Sequence, residues 1–581
     1  MTGLAVILFT GGVLWSLSGP RHPPSEIIIK ADIITMAPHL PRAEAIHIVD
    51  GQIRRVGSID DLLAIAPPQT AVIEMNDTVI TPGLIEPHTH PDAAAVLATT
   101  IDVSGFRNAS RAECMDALAQ GAKKFSPAPW TIAFGWDPVM VEDLDPPTLA
   151  ELDAISPDRP LVVLTQMMHD AYANSAALAA AGISHSTPDP VGGEFVRDNN
   201  GELTGTVREV PAINRLLAAM PPPPAGSAEL LLALQYGRYA RAGYTTLGAL
   251  GPASNLEDPI GLMQRLALDP EIPVRTVVYA LPAQLDEDRL PPSGDRFRLR
   301  GVKFWMDGSP YAGGAAWAEP YENSALVVDR LHLGRDHFPA LNYDAAAFRA
   351  LFLEHHRRGR HIAVHVQGER AIDRVLDAVA FAQREFPRPE ARHRLEHNAL
   401  ITEGQLERAR ELGVTVSFFI DHIRFYGDRL PEIVGSERTQ RYMPVASALR
   451  VGHRVSLHSD NPATPLDAMR VLQTAVERRT RGRNAVVGAD QRISAEQALR
   501  AMTIDAAWQL GLEDEVGSIE PGKRADLTML SGNPLETAPE RIGEIEILST
   551  WIDGRPADSR SWRRGNLARV LNTVAGWISL S

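Results

Sequence analysis

The chain has 581 residues, too many for one small core and enough for a large barrel with additions or for two or three domains. With 44% hydrophobic and 22% charged residues it has an ordinary soluble, globular composition, and its formal net charge of -15 argues against nucleic acid as a partner, because phosphate binding needs clustered Lys and Arg. A single cysteine, Cys114, excludes an internal disulfide framework and argues against a Cys-based zinc site; it reads as a small buried apolar side chain.

Residues 1–24 form an apolar extension. Residues 1–20 carry no charged side chain, lack the basic start of a secretory signal and are short for a membrane span, so an extra strand or upstream extension is expected. The alternative is a membrane tether or export signal; the location expected otherwise is cytoplasmic. Residues 27–36 (IIIKADIITM) are β-branched and read as a strand. Residues 45–56 (AIHIVDGQIRRV) read as a hairpin around Asp50-Gly51. Residues 71–80 continue the strand-rich stretch until Pro82-Gly83 interrupts it.

From there apolar runs alternate with amphipathic helical stretches. The runs are 79–86, 245–250, 274–281, 301–306, 361–366, 392–397, 414–420 and 454–458. Unbroken apolar strands between helices indicate a parallel sheet covered on both faces, and eight of them predict an α/β chain built on a (β/α)8, TIM-like barrel over 83–514. Residues 110–235 break the alternation and contain a Pro-rich piece at 221–224, so they are expected to form an insertion on the barrel's loop face. Residues 477–483 (ERRTRGR) read as a solvated helix end. Residues 494–510 read as two helices, and 516–556 as strands with a turn at Gly522-Lys523 and a hairpin at Asp553-Gly554. The strand-rich ends, 25–82 and 515–557, are expected to join in a small β-sandwich domain, leaving 558–581 as a tail.

Side chains at the C-terminal ends of barrel strands line the active site. His88 and His90 follow the first run in Gly83-Leu84-Ile85-Glu86-Pro87-His88-Thr89-His90, and residues two apart on extended chain point the same way, so two imidazoles can meet one ion. His365 and His397 end the fifth and sixth runs, Asp460 follows the eighth, and Lys303 lies in the fourth. Each alone reads as a capping, core or surface residue; together, at strand ends and in barrel order, they are a much stronger signal, and neutral imidazole and carboxylate ligands suit zinc or a similar divalent ion.

With these segments, and with Gly135-Trp136-Asp137, His169, Asn174-Ser175, Gly192-Gly193, Gly205, Glu209, Asp307-Gly308-Ser309, Glu319-Pro320-Tyr321 and residues 518–526 (SIEPGKRAD), the chain resembles the amidohydrolase superfamily. The nearer resemblance is to its YtcJ-like branch, amidohydrolase family 3, which includes N-substituted formamide deformylases. It spans about residues 25–557. The resemblance implies a more buried metal on His88 and His90, a second on His365 and His397, Lys303 carboxylated to N6-carboxylysine as their bridge, and Asp460 as ligand and proton shuttle. One or two ions, zinc foremost, are implied. The reaction implied is cleavage of a C–N bond in an amide-like small molecule by a metal-activated hydroxide. Alternatives are ester hydrolysis or deamination on the same barrel, or a non-catalytic metal-binding barrel. Trp136, His169, Asp307, Tyr311, Trp317, His422 and His458 are candidate substrate contacts; Phe304 and Trp305 read as barrel packing. A homo-oligomer, in the first instance a dimer, is expected.

Overall fold

The computed structural model describes residues 16, 18–124, 128–252, 254, 256–285 and 293–580. The expected N-terminal extension therefore lies mostly outside the described residues. Eight strands form one parallel sheet: β1 (Leu84–Thr89), β2 (Tyr244–Leu250), β3 (Arg275–Ala280), β4 (Phe297–Trp305), β5 (His361–Val366), β6 (Arg394–His397), β7 (Thr415–Phe418) and β8 (Val455–Leu457). Each pairs with the next, in chain order, and each overlaps one of the apolar runs, although β1 shares only residues 84–86 with the run 79–86, whose first part belongs to the strand Ala71–Pro82 of another sheet. The strands are buried nearly throughout, as a sheet covered on both faces requires.

The ladder runs from β1 to β8 without a backbone pairing between those two. Side chains and loops bridge that seam. Glu86 of β1 accepts hydrogen bonds from the Ser459 hydroxyl at 2.8 Å and its amide at 3.2 Å, and the His90 amide donates to the Asn461 carbonyl at 2.9 Å. The sheet is thus an almost closed barrel.

Helices cover it by ordinary amphipathic logic. Glu369–Glu385 buries Ala371, Ile372, Val375, Leu376, Ala378, Val379 and Ala382, a stripe with helical spacing. Asp344, Thr402 and Ser494 cap the helices after them, the latter two with reciprocal Gln bonds. Residues 494–510 do form two helices, Ala495–Ala501 and Ile504–Leu510.

The chain ends also pair. They form one seven-stranded sheet in the order Arg555–Pro556, Ile547–Ile552, Leu527–Leu530, Ala71–Pro82, Glu26–Ile34, Arg42–Val49, Gln52–Gly57, a single sheet in hydrogen-bonding terms rather than two. Its two predicted hairpins turn at Asp50-Gly51 and Asp553-Gly554, each with both residues at positive φ, which is why Gly stands second.

Between β1 and β2 the chain builds a third sheet of six strands, from Ile101–Asp102 to Leu203–Arg208. It starts before position 110. Helix Ser227–Arg241, which starts inside the expected insertion and runs past its end at 235, instead packs on the barrel, with Tyr236 bonded to Thr276 and Tyr239 to Thr89. Two other expectations change. Residues 558–581 hold a helix, Arg560–Leu580, anchored by buried Trp562 and by Arg569 paired with Glu229 and Asp269. The basic run is a helix end, exposed at residues 481–483 as expected but not at Arg478, which is fully buried and donates to the carbonyls of Tyr442, Met443 and Val487. Among the described residues no helix is long and apolar enough to cross a membrane.

Candidate metal centre

β1 carries His88 near its end and His90 follows it directly, and their rings lie 5.6 Å apart. Their Nε2 atoms sit 3.5 and 3.3 Å from the same oxygen, Asp460 Oδ1. Lys303 Nζ, from β4, is 3.2 Å from His88 Nε2. The His397 ring, at the end of β6, lies 4.6 Å from His88 and 4.3 Å from His365 at the end of β5. The five strands β1, β4, β5, β6 and β8 thus bring all six expected ligands into one cluster.

The backbone is bent to reach this arrangement. His397, Asn398 and Asp460 have φ of 76°, 56° and 53°, a left-handed conformation that side chains rarely adopt and that is held at functional sites by surrounding bonds. Asn398 donates to the Leu395 and Ser417 carbonyls. Asn461, next to Asp460, accepts from Tyr239 at 3.0 Å and Gln235 at 3.3 Å on the adjacent helix.

Burial controls protonation. It lowers His88, His397 and His458 well below the usual histidine range and brings His365 and His422 to about 3, so these imidazoles are neutral at working pH and carry a lone pair. Burial also brings Lys303 down to about 8, against the pull of Glu396 and Asp460. Among the described residues, His365 Nε2, His397 Nδ1, both ring nitrogens of His458 and Asp460 Oδ1 are buried without a hydrogen-bond partner. Neutral imidazoles, a carboxylate and unpartnered donor atoms in one cluster fit a divalent ion of the zinc type. Two triads bring their donor atoms within 4.8 Å of one another: His88, His90, Asp460 and His88, His397, His458.

The expected substrate contacts fall into three groups. His458 and His422 belong beside the cluster. His458 lies 4.8 Å from the His88 ring, and His422 reaches it through Phe419, whose ring is 4.0 Å from His422 and 5.2 Å from His458. Tyr311 packs on His422 and stacks on Tyr426, while Trp317 reaches the same wall through Tyr442. Asp307 is not free for substrate: its carboxylate accepts the amides of Ala316, Gln367 and Gly368 and sits 3.6 Å from His365 Nε2. A side chain on Gly368 would strike the Ala316 backbone at 2.1 Å, which shows how closely Asp307 draws the two loops together. Trp136 stays in the inserted sheet, and His169 in the turn just before its strand Asp170–Ala173. Trp136 is buried in its core against Tyr172, and His169, half exposed, pairs with Glu209 at 3.1 Å.

A model of the amidohydrolase family matches residues 71–558, across all three sheets. The chain belongs to the amidohydrolase family. This amidohydrolase is 30% identical over 544 residues to an N-substituted formamide deformylase of Arthrobacter pascens, covering 91% of this chain and 97% of the relative. It is 27% identical over 540 residues to the putative amidohydrolase YtcJ of Bacillus subtilis (strain 168), covering 90% and 97%. Its fold is shared with an uncharacterized metal-dependent hydrolase of Pyrococcus horikoshii OT3, at a TM-score of 0.70 and 21% identity, over 89% of this chain and 99% of that one.

The ionisable side chains that support the amidohydrolase centre from within the barrel are not among the residues singled out by the sequence pattern. Glu86, Arg394 and Glu396 are all buried. Burial pushes Glu86 up to about 8, against its bonds to Ser459. The signal was present: a charged residue inside a strand buried on both faces must have a partner.

Proposed function

We propose that this amidohydrolase is a metal-dependent enzyme that cleaves the C–N bond of an amide-like substrate: an N-substituted formamide, an N-acyl amine or a carbamate. The observation that carries this reading is the convergence of His88, His90, Lys303, His365, His397 and Asp460 in one buried cluster with unpartnered donor atoms. The deformylase likeness supports the bond type, and the metal-dependent hydrolase with the same fold supports the cofactor class.

His88, His90 and Asp460 would hold one ion, and His365 and His397 a second. Such an ion supplies a more acidic water and a positive charge facing a developing oxyanion. The protein's own groups do the rest. Asp460 Oδ1, buried and close to both His88 and His90, takes the proton of the attacking water and returns it to the leaving nitrogen. Neutral His458, beside the His88 ring, and His422, behind Phe419, would border the reacting group without adding charge to it. Lys303, drawn down to about 8, has a neutral amine fraction able to add carbon dioxide; the new N–C bond gives a carbamate and releases one proton. That anion would offer carboxylate oxygens to a divalent ion, which an ammonium group cannot do.

The test joins metal analysis to an assay over formamides, acyl amines, carbamates and esters. Bound divalent metal and turnover of the first three classes are expected. Asp460→Asn should fold and lose at least a hundredfold in rate, a typical loss when a proton-transfer group is removed, and His365→Ala should fold and lose activity with the ligand it gives to the second ion. Wild-type turnover in either variant, or full activity after exhaustive chelation, would overturn the reading. Intact mass of the native protein checks Lys303 by the increment of one carbon dioxide.

A further inference from the structure

We propose that Glu396 and Arg394 form a buried clamp that sets the tautomer and direction of His88, so that metal affinity depends on two charges that never touch the ion. The inference rests on the ligand role given to His88 above. The two residues stand two apart on β6 and so project to the same side of the strand, into the barrel. Both are fully buried. Arg394 donates to both carboxylate oxygens of Glu396, Nε to Oε1 at 2.6 Å and Nη2 to Oε2 at 3.1 Å. Oε2 lies 2.8 Å from His88 Nδ1.

The chemistry of that contact is one-directional. An ionised carboxylate only accepts hydrogen bonds, so the proton of neutral His88 must sit on Nδ1. The lone pair is then on Nε2, the atom that faces Lys303 Nζ and Asp460 Oδ1. Arg394 keeps the carboxylate ionised in a place with no solvent and aligns it through a two-point contact. The same guanidinium also donates to the Pro87 carbonyl at 3.1 Å, so the clamp holds the backbone immediately before His88 as well as its ring. A purely structural ion pair would need neither the third partner on Oε2 nor the bond to Pro87. His397, the next residue on β6, is itself in the ligand cluster, so one short strand supplies a ligand and the support for a ligand on β1.

The experiment measures Zn2+ affinity of the full-length, metal-stripped protein by competition with a chelator, alongside urea unfolding of the same samples. Glu396→Gln should lower affinity about 10- to 100-fold, the usual effect of removing a carboxylate behind a metal-bound histidine, and should also lower stability because Arg394 is left unpaired. The double variant Arg394→Met with Glu396→Gln removes both charges. Its stability should recover toward wild type while its Zn2+ affinity stays low. Glu396→Asp keeps both charges but withdraws the carboxylate from His88, and it too should bind Zn2+ more weakly. Recovery of affinity together with stability in the double variant, or wild-type affinity in Glu396→Asp, would overturn the clamp and reduce the pair to core packing. Failure of the parent reading looks different: wild type itself would bind no Zn2+, or His88→Ala would bind it as well as wild type.

Discussion

Arg478 closes a helix in a left-handed conformation, φ 54°, and spends its donors on three backbone carbonyls in a fully buried place. Burial pulls its guanidinium down to about 9. One of those carbonyls belongs to Tyr442, whose hydroxyl is 3.4 Å from His422 Nδ1, so the residue that looks most like surface in the sequence supports the wall of the candidate site. Arg478→Met keeps the stem and takes the Arg478 bonds from the buried carbonyls of Tyr442 and Val487, while the Met443 carbonyl keeps the Val445 amide at 2.9 Å. A loss on the order of 3 kcal/mol is expected by urea unfolding, since each unsatisfied buried group costs about 1–3 kcal/mol; a loss below the usual scatter of surface substitutions would show that the three bonds do little. The contrast with His365 explains what was legible at this scale. A histidine at the end of an apolar run declares its position by the strand's own geometry. An arginine in a basic run does not, because nothing in its neighbours shows that a distant loop brings carbonyls to it. Glu396 lay between these cases: its burial followed from the strand, but its partner His88 is 308 positions away.

At the scale of elements, the barrel strands were readable because a parallel strand covered on both faces must be apolar along its length. The inserted unit was not, because its short strands and turns carry no comparable period, and its limits came out shifted at both ends. Its attachment to the barrel combines apolar packing, Val139 in the barrel's core and Phe106 edge-on to Phe425 at 4.8 Å, with a few polar contacts. Gln166 donates to the Ala463 carbonyl, Ser309 meets Met167, Arg481 donates to the carbonyls of Phe106 and Gly105, and Tyr426 donates to Asp137 at 3.0 Å. Burial pushes Asp137 up to about 6, although the amides of Val139 and Met140 and the Tyr426 hydroxyl stabilise its anion. The folded state therefore holds this proton more tightly than the unfolded chain, whose aspartates titrate near 4. The resulting contribution to stability is fully present below about pH 4 and is lost as pH rises through about 6, amounting to about 3 kcal/mol for a shift of some two pKa units. Asp137→Asn removes the titration. Its stability profile between pH 4 and 6, measured by urea unfolding, should fall less steeply than that of wild type. Parallel profiles would mean that Asp137 does not titrate in that window.

The whole molecule is held together at the end of the barrel opposite the metal cluster. There the strands β1, β2 and β3 begin, and the strand Leu527–Leu530 of the terminal sheet interlocks with them: Thr528 Oγ1 donates to the Gly243 carbonyl at 2.7 Å and accepts from the Leu84 amide at 3.2 Å. Arg275, at the start of β3, is buried with Asp526, bonded at 2.6 and 3.0 Å through two nitrogens, and also meets Asp553 at the hairpin turn. Arg296 adds a second bond to Asp553 at 2.6 Å. The sequence showed that both chain ends were strand-rich. It did not show the charges that fix that sheet to the barrel, since they come from positions 275, 296, 526 and 553 and meet only after folding. Breaking a buried pair by removing one partner typically costs about 3–5 kcal/mol, more than its formation contributes, because the other charge is left uncompensated. Asp526→Asn leaves Arg275 with one aspartate and keeps the shape of the site. Scanning calorimetry should then show the terminal sheet melting before the barrel, as two transitions where wild type shows one, with Zn2+ stabilising only the later one because its ligands all lie on barrel strands or the loops that follow them. A single unshifted transition in Asp526→Asn, or equal stabilisation of both transitions by Zn2+, would mean that sheet and barrel unfold as one unit for reasons other than this cluster of charges.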